Sequence, residues 1–179
     1  MAWTTPQNWT AVPFTVSNLN AQIRDNFLAL KAPPTAIYNA VEGTDLALTS
    51  TSWADVDATA GKFSQSITTT GGDIWVVLDA AVGVGGVDVL LYLDISIDGV
   101  AYGVTTLGAA DGLYANRFAS AGAVLEGHIS FHRLLTSIAA GSHTIKIRYK
   151  VSAGTLTIFR AANTASVDIC PMFFIREVS

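Results

Sequence analysis

The chain has 179 residues, half of them apolar and 13% charged, with a formal net charge of −4. That length suits one domain with a sizeable core, and a mean hydropathy of +0.41 is high enough that some apolar surface is expected to be shared with other subunits. The acidic pI of about 5.1 argues against a nucleic-acid partner, the single cysteine excludes an intramolecular disulfide framework and a Cys-rich metal site, and no apolar run reaches the roughly 18 residues of a membrane helix.

Residues 1–16 place Trp3, Pro6, Trp9, Pro13 and Phe14 among Thr and Asn, a composition that favours an extended arm over a helix. The opening Met-Ala-Trp-Thr-Thr-Pro has neither a basic n-region nor an apolar h-region, so no secretory signal is expected, and synthesis and folding are expected in the cytosol. Asn8-Trp9-Thr10 fits a glycosylation acceptor, which means nothing without a secretory route.

An amphipathic helix is predicted over 17–32, with Ser17 as its N-cap and Pro33-Pro34 as its stop. Leu19, Ile23, Phe27 and Leu30 recur at spacings of four, four and three and form one apolar stripe, with Val16 just before it. Asn20, Gln22, Arg24, Asp25 and Lys31 fill much of the remainder. A helix of about 15 residues is marginal alone in water, so the stripe needs a surface. That surface is either its own β domain, copies of the same helix, or another protein. Read as alternating core positions, Val16, Leu19, Ile23, Asn26 and Leu30 form a short coiled-coil seam in which Asn26 is the polar member that sets register. Arg24 and Asp25 then lie at its rim or grip a neighbouring protein.

From Ala36 the period changes to two. Val89, Leu91, Leu93, Ile95 and Ile97 share one face of a long strand, and Leu90, Tyr92, Asp94, Ser96 and Asp98 the other; Asp98-Gly99 then offers a hairpin turn. Ile145, Ile147, Tyr149 and Val151 alternate with Lys146, Arg148 and Lys150, which gives one buried and one cationic solvent face. Further strands are predicted near 36–42, 46–49, 62–69, 74–82, 124–134, 155–160 and 167–178. Nine to eleven strands with Gly-rich turns indicate a β-sandwich or jelly roll. The Gly/Ala-rich stretch 99–122 reads as long loops or short irregular strands. Its Tyr102, Tyr114 and Phe118 are a possible ligand-binding loop, or simply cap the domain.

Charge is lopsided along the chain. Between residues 36 and 116 ten acids face one base, Lys62, whereas from Arg117 onward seven bases face three acids. The two halves are expected to meet within one sandwich or across a subunit interface.

Candidate chemistry is sparse. His128 and His132 share a strand face with Ser130 but lie about 13 Å apart, too far for one metal or proton relay. His143 falls in the Gly141-Ser142 turn and is expected at the surface. Asp55 and Asp57, or Asp94 and Asp98, lack the dense oxygen-ligand loop of a calcium site. Gly83-Val84-Gly85-Gly86 is followed by Val87-Asp88-Val89 where a phosphate loop needs a helix, and so reads as a turn. Cys170 reads as an inert buried thiol within an apolar strand. No catalytic constellation emerges; the chain is expected to be non-enzymatic, with no cofactor and no metal.

The segments Trp3-Thr4-Thr5-Pro6, Trp9-Thr10, Val16-Ser17-Asn18-Leu19-Asn20 and Ile23-Arg24-Asp25-Asn26-Phe27-Leu28-Ala29-Leu30-Lys31-Ala32-Pro33 resemble the leader of a family of tailed-bacteriophage structural proteins. Those leaders read W-T-T-P-x-x-W, then T/S-x-x-x-L-N, then R-D-N-L-L-A-L-K; Phe27 stands where Leu is more usual. The remainder is similar to the jelly-roll, tumour-necrosis-factor-like heads of phage fibres and decoration proteins, through Ala140-Gly141-Ser142-His143-Thr144-Ile145-Lys146 and Met172-Phe173-Phe174-Ile175-Arg176-Glu177.

The resemblance implies a virion component, assembled in the host cytoplasm and often trimeric. The expected fold is mainly β: an antiparallel jelly roll over 35–179, preceded by an extended arm and one amphipathic helix over 1–34. Trp3, Trp9, Phe14, Leu19, Ile23, Asn26, Phe27 and Leu30 are the expected anchoring and oligomerisation residues. The expected partners are further copies of the chain and another virion protein, such as a major capsid or tail protein, without membrane or nucleic acid. Head decoration or a small appendage suits the short chain better than a long fibre, which needs repeats. The alternative is a receptor module of a tail fibre that binds a host-surface glycan.

Overall fold

The computed structural model describes residues 15–85, 88–103, 112–119, 125–161 and 170–178, with the side chains of residues 25, 28–31 and 125 left aside. Helix α1 (Val16–Lys31) opens this part of the chain. It starts one residue before the expected position because Thr15 caps it in place of Ser17. The Thr15 Oγ1 accepts from Asn18 N–H at 3.1 Å, and its carbonyl accepts the first helical bond from Leu19 at 3.0 Å. Among the described residues α1 is not long and apolar enough to cross a membrane.

Twelve strands follow among the described residues. They are β1 (Thr35–Asn39), β2 (Leu46–Leu48), β3 (Ala54–Asp55), β4 (Ser64–Thr69), β5 (Gly72–Gly85), β6 (Val89–Ile97), β7 (Val100–Ala101), β8 (Tyr114–Phe118), β9 (Leu125–Ile138), β10 (Gly141–Val151), β11 (Thr155–Ile158) and β12 (Met172–Glu177). All ladders between them are antiparallel. In the first sheet β5 is flanked by β9 on one edge and by β12 and β11 on the other, with β1 and β2 outside those. In the second, β10 carries β3 and β4 on one edge and β6 on the other, with β7 and β8 beyond β6. Because β4→β5, β5→β6, β8→β9, β9→β10 and β10→β11 each cross from one sheet to the other, the result is a jelly roll.

The core lies between the sheets. Ile74, Val76, Leu78, Ala80, Val82 and Val84 of β5 face Leu91, Leu93 and Ile95 of β6 and Ile145, Ile147 and Val151 of β10, all buried. Phe63 sits edge-on to Tyr38, ring centroids 5.1 Å apart, and stacked over Phe173 at 6.4 Å. The Asp98-Gly99 turn forms as its sequence requires, both residues at positive φ (52° and 85°), between Ile97 and its partner Val100.

The described residues of 99–122, read as long loops or short irregular strands, include the short strands β7 and β8, both paired with β6. Three expectations are corrected. Gly83 and Gly85 lie within β5, where a Cβ on Gly83 would come 2.5 Å from the Phe159 ring; close approach, and not a turn, explains this glycine. His143 lies in β10 with its side chain only 14% exposed. Cys170 is half-buried and precedes β12 instead of lying inside a strand.

Candidate functional site

The outer face of the first sheet is built from four strands in strict register. One cross-strand row runs Ile37–Phe174–Val77–His132, and the next Thr35–Arg176–Trp75–Leu134. A strand alternates its side chains, so these residues point away from the core, and a soluble face would carry polar groups here. Instead Ile37 is 54% exposed, Trp75 47% and Leu134 47%, with Phe174 half-buried among them. Thr35, Arg176 and His132 are exposed polar members of the same rows and Val77 is buried, so the apolar exposure is concentrated in the neighbouring pairs Trp75–Leu134 and Ile37–Phe174.

Polar residues border it. The His128 Nε2 lies 2.6 Å from Asp79 Oδ1, and Ser130 Oγ lies 3.0 Å from His132 Nε2. The ring of His132 leans against that of Trp75 with centroids 6.5 Å apart. The two histidines are therefore engaged separately.

β1 is the outer strand on one side of this face, and α1 joins it through the three residues 32–34. On α1, Val16, Ile23 and Phe27 are exposed while Leu19 and Asn26 are half-buried. Among the described residues no strand packs along the helix. The side chain of Leu30 and all of Trp3, Trp9 and Phe14 lie outside the described residues.

The aromatic trio read as a possible ligand-binding loop, or as a cap on the domain, is packed as follows. Phe118 is buried at the end of β8, and Tyr114 on the same strand packs edge-on against Phe131 at 5.8 Å. Burial pushes the Tyr114 hydroxyl above its ordinary pKa. The Tyr102 hydroxyl accepts from Thr136 N–H at 3.3 Å, and its ring packs on the core. Tyr114 and Phe118 share one face of β8, which pairs with β6 and takes up the alternation of the second sheet, whereas Tyr102 directly follows β7. The exposed apolar residues Trp75, Leu134 and Ile37 and the half-buried Phe174 were not singled out from the sequence. Their signal was the presence of apolar side chains at both alternating positions of β12 and of the first half of β5.

The titratable groups form internal pairs. Four ion pairs join an acid of the first half to a base of the second, Asp88–Arg117, Asp98–His143, Asp55–Lys146 and Asp57–Arg160, and Asp79 contacts His128 in the same sense. The two charge blocks thus meet within one sandwich. Arg160 anchors the densest group. It donates to Asp57 and to Thr44 O, while Asp45 accepts from the backbone N–H of Arg160 and Ala161. Beside it Glu42 accepts from Tyr38 and pairs with Lys62 at 2.9 Å. Burial and the Glu42 carboxylate push the Tyr38 hydroxyl up to about 12. With each group held by a neighbour, this cluster fastens β1, β3 and β11 together. Asp55, Asp57 and Asp98 all point at protein donors, and Asp94 accepts from Gly103 N–H at 2.8 Å. Among the described residues no three His, Cys, Asp or Glu side chains are grouped to hold a metal.

No protein-family model and no curated protein matches the chain. Among solved structures it is similar to the tumour necrosis factor Eiger of S. frugiperda, with 9% identity and a TM-score of 0.48 over 83% of this chain and 95% of that one. It is also similar to a chain of infectious bursal disease virus, Gx strain (11% identity, TM-score 0.38, 80% of this chain and 35% of that one). A third is dimeric latent PorU of Porphyromonas gingivalis (10% identity, TM-score 0.33, 82% of this chain and 13% of that one). At these identities and overlaps none of the three lends this chain a function.

Proposed function

We propose that this chain is a non-enzymatic structural protein of a tailed-bacteriophage virion: a homotrimeric surface component, either a head decoration protein or a small fibre or spike, attached through its N-terminal arm. The virion assignment is supported by the leader motif from Trp3 to Pro33. Self-association is carried by one observation, the exposed apolar face formed by Ile37, Phe174, Trp75 and Leu134. A second copy is the occupant that fits, because α1 and this face belong to one continuous stretch. Helices that associate through Val16, Ile23 and Phe27 bring the β1 edges of the copies together, and β1 borders the apolar face. Completing the burial of a half-exposed Trp75 or Leu134 stabilises such an interface by about 1 kcal/mol per side chain, half the value for full burial.

The test is solution mass by light scattering for the full chain, a chain beginning at Pro34, and the pair Trp75→Glu, Leu134→Lys. A trimeric full chain that dissociates on the paired substitution, with its far-UV spectrum intact, is the expected result. A full chain that stays monomeric at every concentration would refute trimerisation. A trimer untouched by the paired substitution would move the contact to another surface.

A further inference from the structure

Two histidines stand on the outer face of the first sheet, and their surroundings differ. On β9 the side chains of His128, Ser130, His132 and Leu134 alternate outward, while Ile129, Phe131 and Leu135 turn into the core. His128 has a carboxylate beside it, Asp79, so a protonated ring there is compensated within its own subunit. His132 has none. Its Nε2 lies 3.0 Å from the Ser130 hydroxyl, its ring leans on Trp75, and among the described residues no carboxylate meets it. The strands around it supply no compensating charge. On β5 its register partner is Val77, and Asp79, two residues on, is already engaged by His128. On β12 the same row holds Phe174 and the next holds Arg176, a like charge to an imidazolium. β1 adds Ile37 and Thr35. Along β9 itself, Arg133 alternates onto the opposite face, and Glu126 stands about 20 Å away on an extended strand.

We propose that His132 makes the self-association of this face, on whose reading this step rests, dependent on pH: the copies hold together while its imidazole is neutral and separate when it is protonated. Leu134 follows His132 on the same side of β9 and Trp75 lies beside its ring, so a copy that covers Trp75 and Leu134 also takes His132 out of water. A neutral imidazole tolerates that step, with the Ser130 hydroxyl on one nitrogen. An imidazolium does not, because burying a charge without a partner is costly and the nearest carboxylate is already engaged. The free subunit keeps a protonated ring in water, so acid favours the separated copies. By linkage, each copy whose ring must lose its proton on assembly changes the association constant by up to about ten-fold per pH unit. Three copies raise that to as much as about 1000-fold, a steep response from one side chain in each. His128 lacks this effect, since Asp79 accompanies it in either state. Imidazoles titrate between about pH 5 and pH 8, so the response falls where carboxylates ordinarily remain ionised.

The test is the solution mass of the full chain against concentration, by sedimentation, at about pH 8 and about pH 5, with the far-UV spectrum recorded on the same samples. The wild type is expected to need at least about ten-fold more protein to assemble in acid, with its spectrum unchanged. His132→Gln and His132→Leu carry no titrating ring and are expected to assemble equally at both pH values, whereas His128→Gln keeps the wild-type response. His132→Leu leaves the face apolar, so loss of the contact cannot imitate loss of the response. A wild type that assembles equally at both pH values would overturn the gating and leave self-association standing. A response retained in full by both His132 variants would overturn it too, as would dissociation that accompanies loss of the far-UV spectrum. A chain that stays monomeric throughout would remove the self-association reading and the gating with it.

Discussion

Replacing Arg160 by Met removes the guanidinium while keeping an apolar stem of similar length. In the folded chain Arg160 donates to Asp57 Oδ2 at 2.9 Å and to Thr44 O at 3.0 Å, and the two paired side chains are only 9% and 12% exposed. Breaking a buried pair by removing one partner costs about 3–5 kcal/mol, because the other charge is left uncompensated. Asp57 keeps a bond from Thr59 N–H at 2.9 Å. The lower end of that range, about 3 kcal/mol, is therefore expected. For a chain of this size it corresponds to a fall in Tm of about 6–12 °C. Urea denaturation of Arg160→Met, Asp57→Asn and the double variant closes a thermodynamic cycle, in which the double variant recovers much of the loss. The penalty also depends on pH. Burial pushes the Asp57 carboxyl up, but hydrogen bonds from Thr59 and Arg160 outweigh it and hold the group below the usual carboxylate value. A lowered folded pKa contributes stability that is present above the unfolded value and lost as pH falls through the folded one. The gap between wild type and Arg160→Met is thus expected to narrow below about pH 4. A penalty under about 0.5 kcal/mol, typical of an ordinary surface change, would refute the reasoning.

Two further predictions concern β10 and the roof over β6. Both ring nitrogens of His143 face acceptors, Asp98 Oδ2 at 2.8 Å and Ala139 O at 2.9 Å, an arrangement that only the imidazolium satisfies. The Asp98 carboxylate, then the Ala139 carbonyl, raise its pKa, so the stability it supplies is fully present below about pH 6.5 and fades as pH climbs through the raised value. Thermal melts are expected to show that decline in the wild type and not in His143→Gln; parallel profiles would exclude the imidazolium. Gly112 has φ +75°, and a Cβ there would lie 2.5 Å from Leu93 O and 2.6 Å from the Trp53 ring. Gly112→Ala is expected to cost more than about 1 kcal/mol in urea denaturation and to alter the near-UV signal of Trp53; a neutral substitution would contradict this placement.

Strands with one apolar and one polar face could be read directly from the sequence. β6 and β10 follow their alternation, and α1 follows its stripe to within a residue of each expected end. β3, β7 and β8 could not, because two-residue strands and the mixed Tyr114-Ala115-Asn116-Arg117-Phe118 carry too little period to stand out. The charge blocks announced that opposite signs would meet, and only the register decided that they meet inside one chain. The apolar outer face was visible only as an excess of hydropathy. A strand such as Met172–Glu177, apolar at alternate positions on both sides, does not say which side is buried by its own domain and which by a neighbour. Nor does spacing reveal that Trp53 and the cations of β10 come together, since β3 reaches them through pairing across almost a hundred residues.

β1 and β12 lie side by side in antiparallel register from Thr35↔Arg176 to Asn39↔Met172, and Glu177 N–H adds a bond to Pro34 O at 3.0 Å. A pull applied at Pro34 along the axis of β1 acts on this ladder lengthwise. The ladder is loaded in shear, its bonds sharing the force together, where a peeling geometry would open them one after another. Under such a pull β1 would hold to the sheet far better than its equilibrium stability suggests, and the chain would yield first outside the ladder.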